Sequence, residues 1–179
     1  MITTSKTVVN ARHSVLFVCT GNICRSPLAE GVFRSFLAQA GLLDQIAVDS
    51  AGTHDYQFGQ PPDPRAVAVA RRRNYDLPTR RARTVSVRDF AYFDMILGMD
   101  RSNLDVLEAL RPRDYGGYLG LLLDFAPGLS VREVPDPYHC EPERFEYVLD
   151  LIERGGEGLF DTIRAGIGAQ RHPALPTDG

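Results

Sequence analysis

The sequence predicts an α/β fold of three layers, in which a short central parallel sheet of about four strands carries helices on both faces. Two patterns support this prediction. Apolar runs of strand length alternate with segments whose apolar residues recur at helical spacing, as in repeated βαβ units. The first strand, helix and second strand together occupy roughly forty residues, the length of one right-handed crossover unit. We expect one domain over residues 13–171, with flexible tails over residues 1–12 and 172–179.

The first of these units surrounds the most informative stretch of the chain. The apolar run at residues 15–18 predicts a strand that brings Cys19 to its carboxyl end. A helix is predicted to open at Pro27 with Ser26 as its N-cap, and Gly41 marks its end. Ligands of open α/β sheets bind outside the carboxyl ends of the strands, so Cys19 lies where a site is expected.

The same patterns predict the remaining elements in chain order: strands over residues 46–49, 95–97 and 118–125, and helices over residues 65–73, 87–93, 102–110 and 145–167. The segment 53–64 is rich in Gly and Pro and is predicted to be a loop. We expect Gly155, Gly156 and Gly158 to loosen the last helix.

Composition and charge narrow the classes of function. The chain has 179 residues, 44% of them hydrophobic and 24% charged, as in an ordinary globular protein. No apolar run is long enough to span a bilayer and residues 1–12 do not resemble a signal peptide, so we expect a cytoplasmic protein without membrane insertion. A net charge of −3 gives no reason to expect a nucleic-acid partner. The three cysteines, Cys19, Cys24 and Cys140, are expected to be reduced thiols.

The turn between the first strand and helix has the chemistry of a phosphate site. It contains, in order, Thr20, Gly21, Asn22, Ile23, Cys24 and Arg25. Such a turn into a helix can point backbone N–H groups at its own centre, where the positive field favours the thiolate of Cys19. Arg25 adds a planar fork of donors that matches two phosphate oxygens. Gly21 can take a positive φ, and Asn22 is the next best residue for that conformation. The turn therefore presents a nucleophilic sulfur to a bound phosphoryl group.

Residues 19–27, CTGNICRSP, match the pattern CxGNxCRSP, and over roughly residues 13–171 the chain resembles the low-molecular-weight protein-tyrosine phosphatases. The resemblance implies hydrolysis of phosphotyrosine in proteins through a phosphocysteine intermediate, with inorganic phosphate as product and no metal or other cofactor. Cys19 would be the nucleophile and Arg25 the phosphate-binding arginine. The other residues of the loop, from Thr20 to Cys24, and Ser26 would contact the phosphate or the thiolate.

A second catalytic group is expected in the segment REVPDPYHC at residues 132–140. Departure of a phenolic oxygen is faster when an acid protonates it. Pro135 and Pro137 stiffen the loop around Asp136 and remove two backbone donors to its carboxyl group. Alone this pattern is typical of a turn, but the resembled family has its general acid in a DPY segment, which makes Asp136 the expected acid and then base. Tyr138 and, on the earlier loop, Tyr56 would line the cleft.

The resemblance also assigns supporting residues. Ser50 matches a serine that helps to hold Asn22, and Asp100 matches an aspartate that orients the loop arginine. The chain departs from the family at Arg80, where many members have a histidine that is hydrogen-bonded to the loop asparagine. How Asn22 is held is therefore left open. Among prokaryotic members, the resemblance suggests a bacterial tyrosine kinase of polysaccharide export as the phosphotyrosine-containing partner.

Cys24 admits three readings. Oxidation could join it reversibly to Cys19, which would protect the thiolate and switch the enzyme off. The alternative is an incidental small residue. A zinc site built from Cys19, Cys24, His139 and Cys140 is disfavoured, because neighbouring residues seldom converge on one tetrahedral centre and the CX2C spacing is absent.

Three other functions remain as alternatives. One class of arsenate reductase looks like this fold, but it passes oxidation through additional cysteines, and residues 57–99 contain none. Phosphoarginine phosphatases typically have threonine at the position of Ile23. A silent phosphotyrosine-binding module would need neither the nucleophile Cys19 nor the acid Asp136.

Overall fold

A computed structural model describes residues 13–170; residues 1–12 and 171–179, which include both expected tails, lie outside this range. The strands are β1 (His13–Cys19), β2 (Ile46–Gly52), β3 (Met95–Gly98) and β4 (Tyr118–Leu121). The helices are α1 (Arg25–Gln39), α2 (Pro64–Arg72), α3 (Val87–Tyr92), α4 (Arg101–Leu110) and α5 (Arg144–Gln170). Among the helices of the described range, none combines the length and apolar character needed to cross a membrane.

The four strands form one parallel sheet in the order β2-β1-β3-β4, which confirms the predicted fold class. The register pairs Cys19 with Gly52 and Val18 with Gly98. The carboxyl ends of β1, β2 and β3 therefore meet at one edge, and the segments that follow them surround a common space.

Alternation along β1 explains why helices cover both faces of the sheet. Val15 and Phe17 point into a core that is shared with α1, α2 and α5. Leu16 and Val18 point into the opposite core, with residues of α3 and α4. Because side chains on a strand alternate between faces, a fully apolar strand requires an apolar layer on each side. Strand β1 is thus buried on both of its faces.

Most element boundaries differ from the sequence predictions by one to four residues, including those of α1, β2 and β4. Helix α1 begins at Arg25, with Cys24 rather than Ser26 in the N-cap position. Strand β2 continues to Gly52 instead of ending at residue 49. Strand β4 ends at Leu121, and residues 122–125 form a 3₁₀ turn in which the Asp124 carboxylate accepts a hydrogen bond from the Leu121 N–H at 2.8 Å.

The glycines of α5 do not loosen the helix, contrary to expectation, because α5 is continuous. They allow a neighbouring segment to approach it closely. A Cβ placed on Gly155 would lie 2.7 Å from Leu122 Cγ, and one on Gly158 would lie 1.7 Å from the carbonyl oxygen of Phe125. The 3₁₀ turn at residues 122–125 thus packs directly on the backbone of α5.

We expect Gly158→Ala to destabilise the protein by about 1–3 kcal/mol, because the added methyl group must displace a backbone carbonyl. Gly166→Ala, in the same helix, is the matched control: a Cβ there meets nothing within 4 Å, and alanine favours helix. Urea unfolding would measure both. Equal stabilities of the two variants would contradict the close packing inferred at Gly158.

Candidate active site

A cleft of about 330 Å³ opens at the carboxyl edge of the sheet. Its floor is the turn Cys19–Arg25, called the phosphate loop below. Its sides are residues 53–58 and the segment Val134–Cys140, called the acid loop. The residues that line it are Cys19, Thr20, Gly21, Ile23, Cys24, Arg25, Tyr56, Gln57, Asp136, Tyr138 and His139. The structure thus brings together residues from three distant parts of the sequence.

Cys19 is the last residue of β1 and only 3% of its surface is exposed, at the base of the cleft. Its Sγ lies 3.0 Å from Ser26 Oγ, in the first turn of α1. Ser26 was expected to cap the helix, but its hydroxyl group faces the sulfur and the carbonyl of Ala51 instead. A hydroxyl in this place can stabilise a thiolate by donating a hydrogen bond to it.

Asn22 fixes the shape of the phosphate loop. It has φ of 57°, so of the two residues suited to a left-handed conformation, Gly21 and Asn22, it is Asn22 that adopts it. Its side-chain N–H group donates to Ser26 Oγ and Ser50 Oγ, both at 3.0 Å. Its side-chain oxygen accepts from the backbone N–H of Arg83 at 3.0 Å. These bonds explain why a left-handed residue other than glycine is stable here.

Arg80, where the chain departs from the family pattern, does not take the place of the family histidine as a hydrogen-bond partner of Asn22. The Arg80 guanidinium extends to the surface and donates to Asp49 Oδ1 at 2.8 Å. The side chain of Arg83 also contacts Asp49, at 3.0 Å. The oxygen of Asn22 is therefore held by main chain from the residue 80–83 segment, and no titratable side chain is needed for that bond.

Glu30, which was not predicted to belong to the site, has its side chain buried below the phosphate loop. Ser50 Oγ donates to Glu30 Oε2 at 2.8 Å, and Arg34 Nε donates to Oε1 at 3.0 Å. Burial raises the pKa of the Glu30 carboxyl group, against the opposing effect of these two bonds. The helical spacing could have indicated it, since Glu30 lies one turn after Ser26 on the buried face of α1.

Arg25 is the most connected residue of the site. Its Nη1 donates to Asp100 Oδ2 and to the carbonyl of Val134, the latter at 3.0 Å. Its Nη2 donates to Asp136 Oδ2 at 2.8 Å and to Thr20 Oγ1 at 3.1 Å. Burial disfavours its charge, but Cys19 and the two carboxylates outweigh that effect and raise its pKa.

One donor of this guanidinium is unused. Within the described residues, Arg25 Nε is buried and has no hydrogen-bond partner. A buried, charged N–H group without an acceptor is costly, so the site favours an anion that can accept from it. Among residues 13–170, no group of three or more His, Cys, Asp or Glu side chains is placed to hold a metal ion.

Asp136 is partly exposed between Pro135 and Pro137, and its carboxyl group faces the cleft. Pro135 and Pro137 contribute no N–H group, as predicted, but Oδ1 of Asp136 accepts from the N–H of Tyr138 at 3.1 Å. The turn that follows Pro137 brings this N–H to the carboxylate. Its bond to Arg25 was also unforeseen.

Aromatic rings stand at the mouth of the cleft. Tyr56 is 70% exposed and stacks on His54 with ring centroids 4.9 Å apart. On the opposite side, the Tyr138 hydroxyl accepts from Gln57 Nε2 at 3.2 Å. The two tyrosines were predicted to line the cleft, whereas His139 and Gln57 were missed. A planar aromatic substrate could pack between these rings.

Residues 14–169 match the family model described as low molecular weight phosphotyrosine protein phosphatase. The Bacillus subtilis low molecular weight protein-tyrosine-phosphatase YfkJ is 39% identical over 84% of this chain and 96% of its own length. The Homo sapiens low molecular weight phosphotyrosine protein phosphatase is 39% identical over 80% of this chain and 91% of its own.

Solved structures agree with the sequence relatives. A protein tyrosine phosphatase from Entamoeba histolytica, crystallised with Hepes in its active site, superposes with a TM-score of 0.82. It is 36% identical and covers 86% of this chain and 98% of its own.

Proposed function

This chain belongs to the low molecular weight phosphotyrosine protein phosphatase family, and we propose that Cys19, Arg25 and Asp136 carry out its hydrolysis of phosphotyrosine in proteins. The observation that supports this assignment most directly is the convergence of the three side chains. Residues 19, 25 and 136 lie on two separated loops, yet Arg25 contacts Asp136 and all three line one cleft.

In the first step, the Cys19 thiolate attacks phosphorus in line with the phenolic oxygen. An S–P bond forms and the P–O bond to tyrosine breaks, while Asp136 transfers its proton to the departing oxygen. The three equatorial oxygens are held by Arg25 and by the N–H groups of Thr20, Gly21, Asn22, Ile23 and Cys24.

In the second step, water attacks the phosphocysteine. Asp136, now ionised, removes a proton from this water, the S–P bond breaks, and inorganic phosphate leaves. Ser26 Oγ, 3.0 Å from the sulfur, donates to the thiolate as it departs. Asn22 and Ser50 hold Ser26 and the loop in place, and Asp100 holds the guanidinium of Arg25.

The ion pair between Arg25 and Asp136 links substrate binding to proton transfer. Arg25 Nη2 donates to Asp136 Oδ2 at 2.8 Å. A bound phosphoryl group competes for the same donor because it carries more negative charge than one carboxylate. Binding thereby frees the Asp136 carboxylate from Arg25, and the carboxylate takes up a proton from solvent before it protonates the leaving oxygen.

We propose a phosphotyrosine protein of the cytoplasm as substrate, and more narrowly a bacterial tyrosine kinase of polysaccharide export. Bacterial relatives support this assignment, including the tyrosine phosphatase Wzb from Escherichia coli K30, solved with sulphate. It is 29% identical over 84% of this chain, with a TM-score of 0.71. Tyr56 and Tyr138, which line the cleft, are both exposed and so can be reached by a tyrosine on a protein surface.

Cys19→Ser should reduce turnover of a phosphotyrosine peptide to the uncatalysed background and leave phosphate binding measurable by calorimetry. The hydroxyl group of serine is a much weaker nucleophile, whereas Arg25 and the loop are unchanged. Cys140→Ser is the control for loss of a thiol elsewhere in the chain, since Cys140 is exposed and is not among the residues that line the cleft. Substantial turnover by Cys19→Ser would rule out the phosphocysteine mechanism.

Asp136→Asn should lower kcat/KM for phenyl phosphate by roughly 10²–10⁴, the usual contribution of a general acid. The loss should be clearly smaller for 4-nitrophenyl phosphate, whose phenolate leaves without protonation. Steady-state assays with a series of aryl phosphates would measure the difference. A loss that is equal for every leaving group would show that Asp136 is not the acid.

Cys24 is proposed as the redox partner of Cys19. Burial, Asp63 and Cys19 raise the pKa of Cys24 far above its usual range, so it stays a thiol while Cys19 reacts. Peroxide oxidises Cys19 to a sulfenic acid and forms water; Cys24 displaces a second water, which leaves a disulfide.

We expect dithiothreitol to restore activity after brief peroxide treatment of the wild type but much less in Cys24→Ser. Equal recovery would contradict this role.

A further inference from the structure

Arg65 lies outside the catalytic groups just described, yet it donates to the acid loop and pairs with Asp63, whose backbone N–H donates to the phosphate loop. It occupies the first turn of α2, and its guanidinium reaches across to the acid loop. None of the steps proposed above uses it. Although 31% of the side chain is exposed, each of its three guanidinium nitrogens donates a hydrogen bond within the protein.

The side of Arg65 toward the phosphate loop is held by Asp63, the N-cap of α2. Asp63 accepts from the Arg65 guanidinium at both oxygens, Nε to Oδ1 at 3.1 Å and Nη2 to Oδ2 at 2.8 Å. Its Oδ1 also accepts from the Arg65 backbone N–H at 2.8 Å. The N–H of Asp63 donates to the carbonyl of Ile23 at 2.8 Å. Asp63 therefore fixes Arg65 relative to the phosphate loop.

The side of Arg65 toward the acid loop binds two backbone carbonyl groups. Nη2 donates to the Tyr138 carbonyl at 2.9 Å, and Nη1 donates to the Cys140 carbonyl at 3.1 Å. The N–H of Tyr138 donates in turn to Asp136 Oδ1 at 3.1 Å. The main chain of Tyr138 is thus held by Arg65 at its carbonyl and orients Asp136 by its N–H.

Aromatic rings restrict the remaining freedom of the guanidinium. Arg65 Cζ lies 4.8 Å from the ring centroid of Phe145, a fully buried residue of α5, and 5.9 Å from that of Tyr138. A planar guanidinium can stack on rings while its edges donate hydrogen bonds, which a lysine ammonium cannot do. The position is therefore suited to arginine specifically.

We propose that Arg65 is a positioning residue that holds the carboxyl group of Asp136 in register with the phosphate loop, and so sets how well the leaving oxygen is protonated. This inference rests on the proposed function, because it assumes that Asp136 is the general acid. Arg65 itself does not touch the reacting atoms. A small displacement of Asp136 affects proton transfer strongly, since the acid must be within hydrogen-bond distance of the departing oxygen.

The test is the dependence of kcat/KM on the leaving group in Arg65→Ala. We expect a loss of roughly tenfold or more with phenyl phosphate and less than about twofold with 4-nitrophenyl phosphate, because only the first needs full protonation. The inhibition constant of inorganic phosphate should change less than about twofold, since Arg25 and the loop remain. Arg65→Lys, which keeps one charge without the fork, should show a smaller loss of the same selective kind.

Arg72→Ala is the matched control, because it also removes an arginine of α2 but one that pairs with Glu146 on the surface. It should leave the leaving-group dependence unchanged. Arg65→Ala combined with Asp136→Asn should be no slower on phenyl phosphate than Asp136→Asn alone. If Arg65→Ala unfolds at the assay temperature, Arg65→Lys carries the same test.

Three results would overturn the inference: no selective loss in Arg65→Ala or Arg65→Lys, an equal loss with all leaving groups, or a further full loss in the double variant. These outcomes differ from a failure of the proposed function. If the proposed function were wrong, the wild type would not hydrolyse the aryl phosphates, or the loss of kcat/KM in Asp136→Asn alone would be equal for every leaving group.

Discussion

The buried guanidinium of Arg25 is the interaction on which the rest of the site depends. Only 1% of this side chain is exposed, and a buried charge is tolerated only when it is paired and hydrogen-bonded. Its partners come from the phosphate loop, the start of α4 and the acid loop. Satisfying one positive charge therefore fixes the relative positions of segments that lie more than a hundred residues apart in sequence. The same charge is then available to a phosphoryl group at the same position.

Arg25 and Arg65 bind different parts of the acid loop. Arg25 contacts Val134 and Asp136 from below, inside the cleft, while Arg65 contacts the carbonyls of Tyr138 and Cys140 from the rim. The loop has no regular secondary structure of its own, and its prolines supply stiffness but few backbone donors. Its order comes from charged donors on neighbouring elements. A loop held in this way can be rigid at Asp136 and still remain open to a large substrate at its surface.

How much could be predicted from sequence depends on the range of the contact. Cys19, Arg25 and the strand-loop-helix around them follow from local pattern, as does the parallel sheet. The bond from the Arg83 backbone to Asn22 and the contact from Arg65 to Tyr138 link residues far apart in sequence, and no periodicity or spacing indicates them. The shorter β4 had a different cause, since leucines fit a strand and a 3₁₀ turn equally well until Asp124 caps the latter. The resemblance located Asp136, but only the coordinates revealed its bond to Arg25.

The most direct measurement is phosphate release from a phosphotyrosine peptide, compared with phosphoserine and phosphoarginine substrates, in EDTA and a reductant. We expect rapid release from phosphotyrosine alone, because the cleft is lined by aromatic rings and Arg25 and the loop supply the charge for the phosphoryl group. Faster release from phosphoarginine would contradict the substrate class. Silence on all three substrates would contradict the hydrolytic mechanism itself.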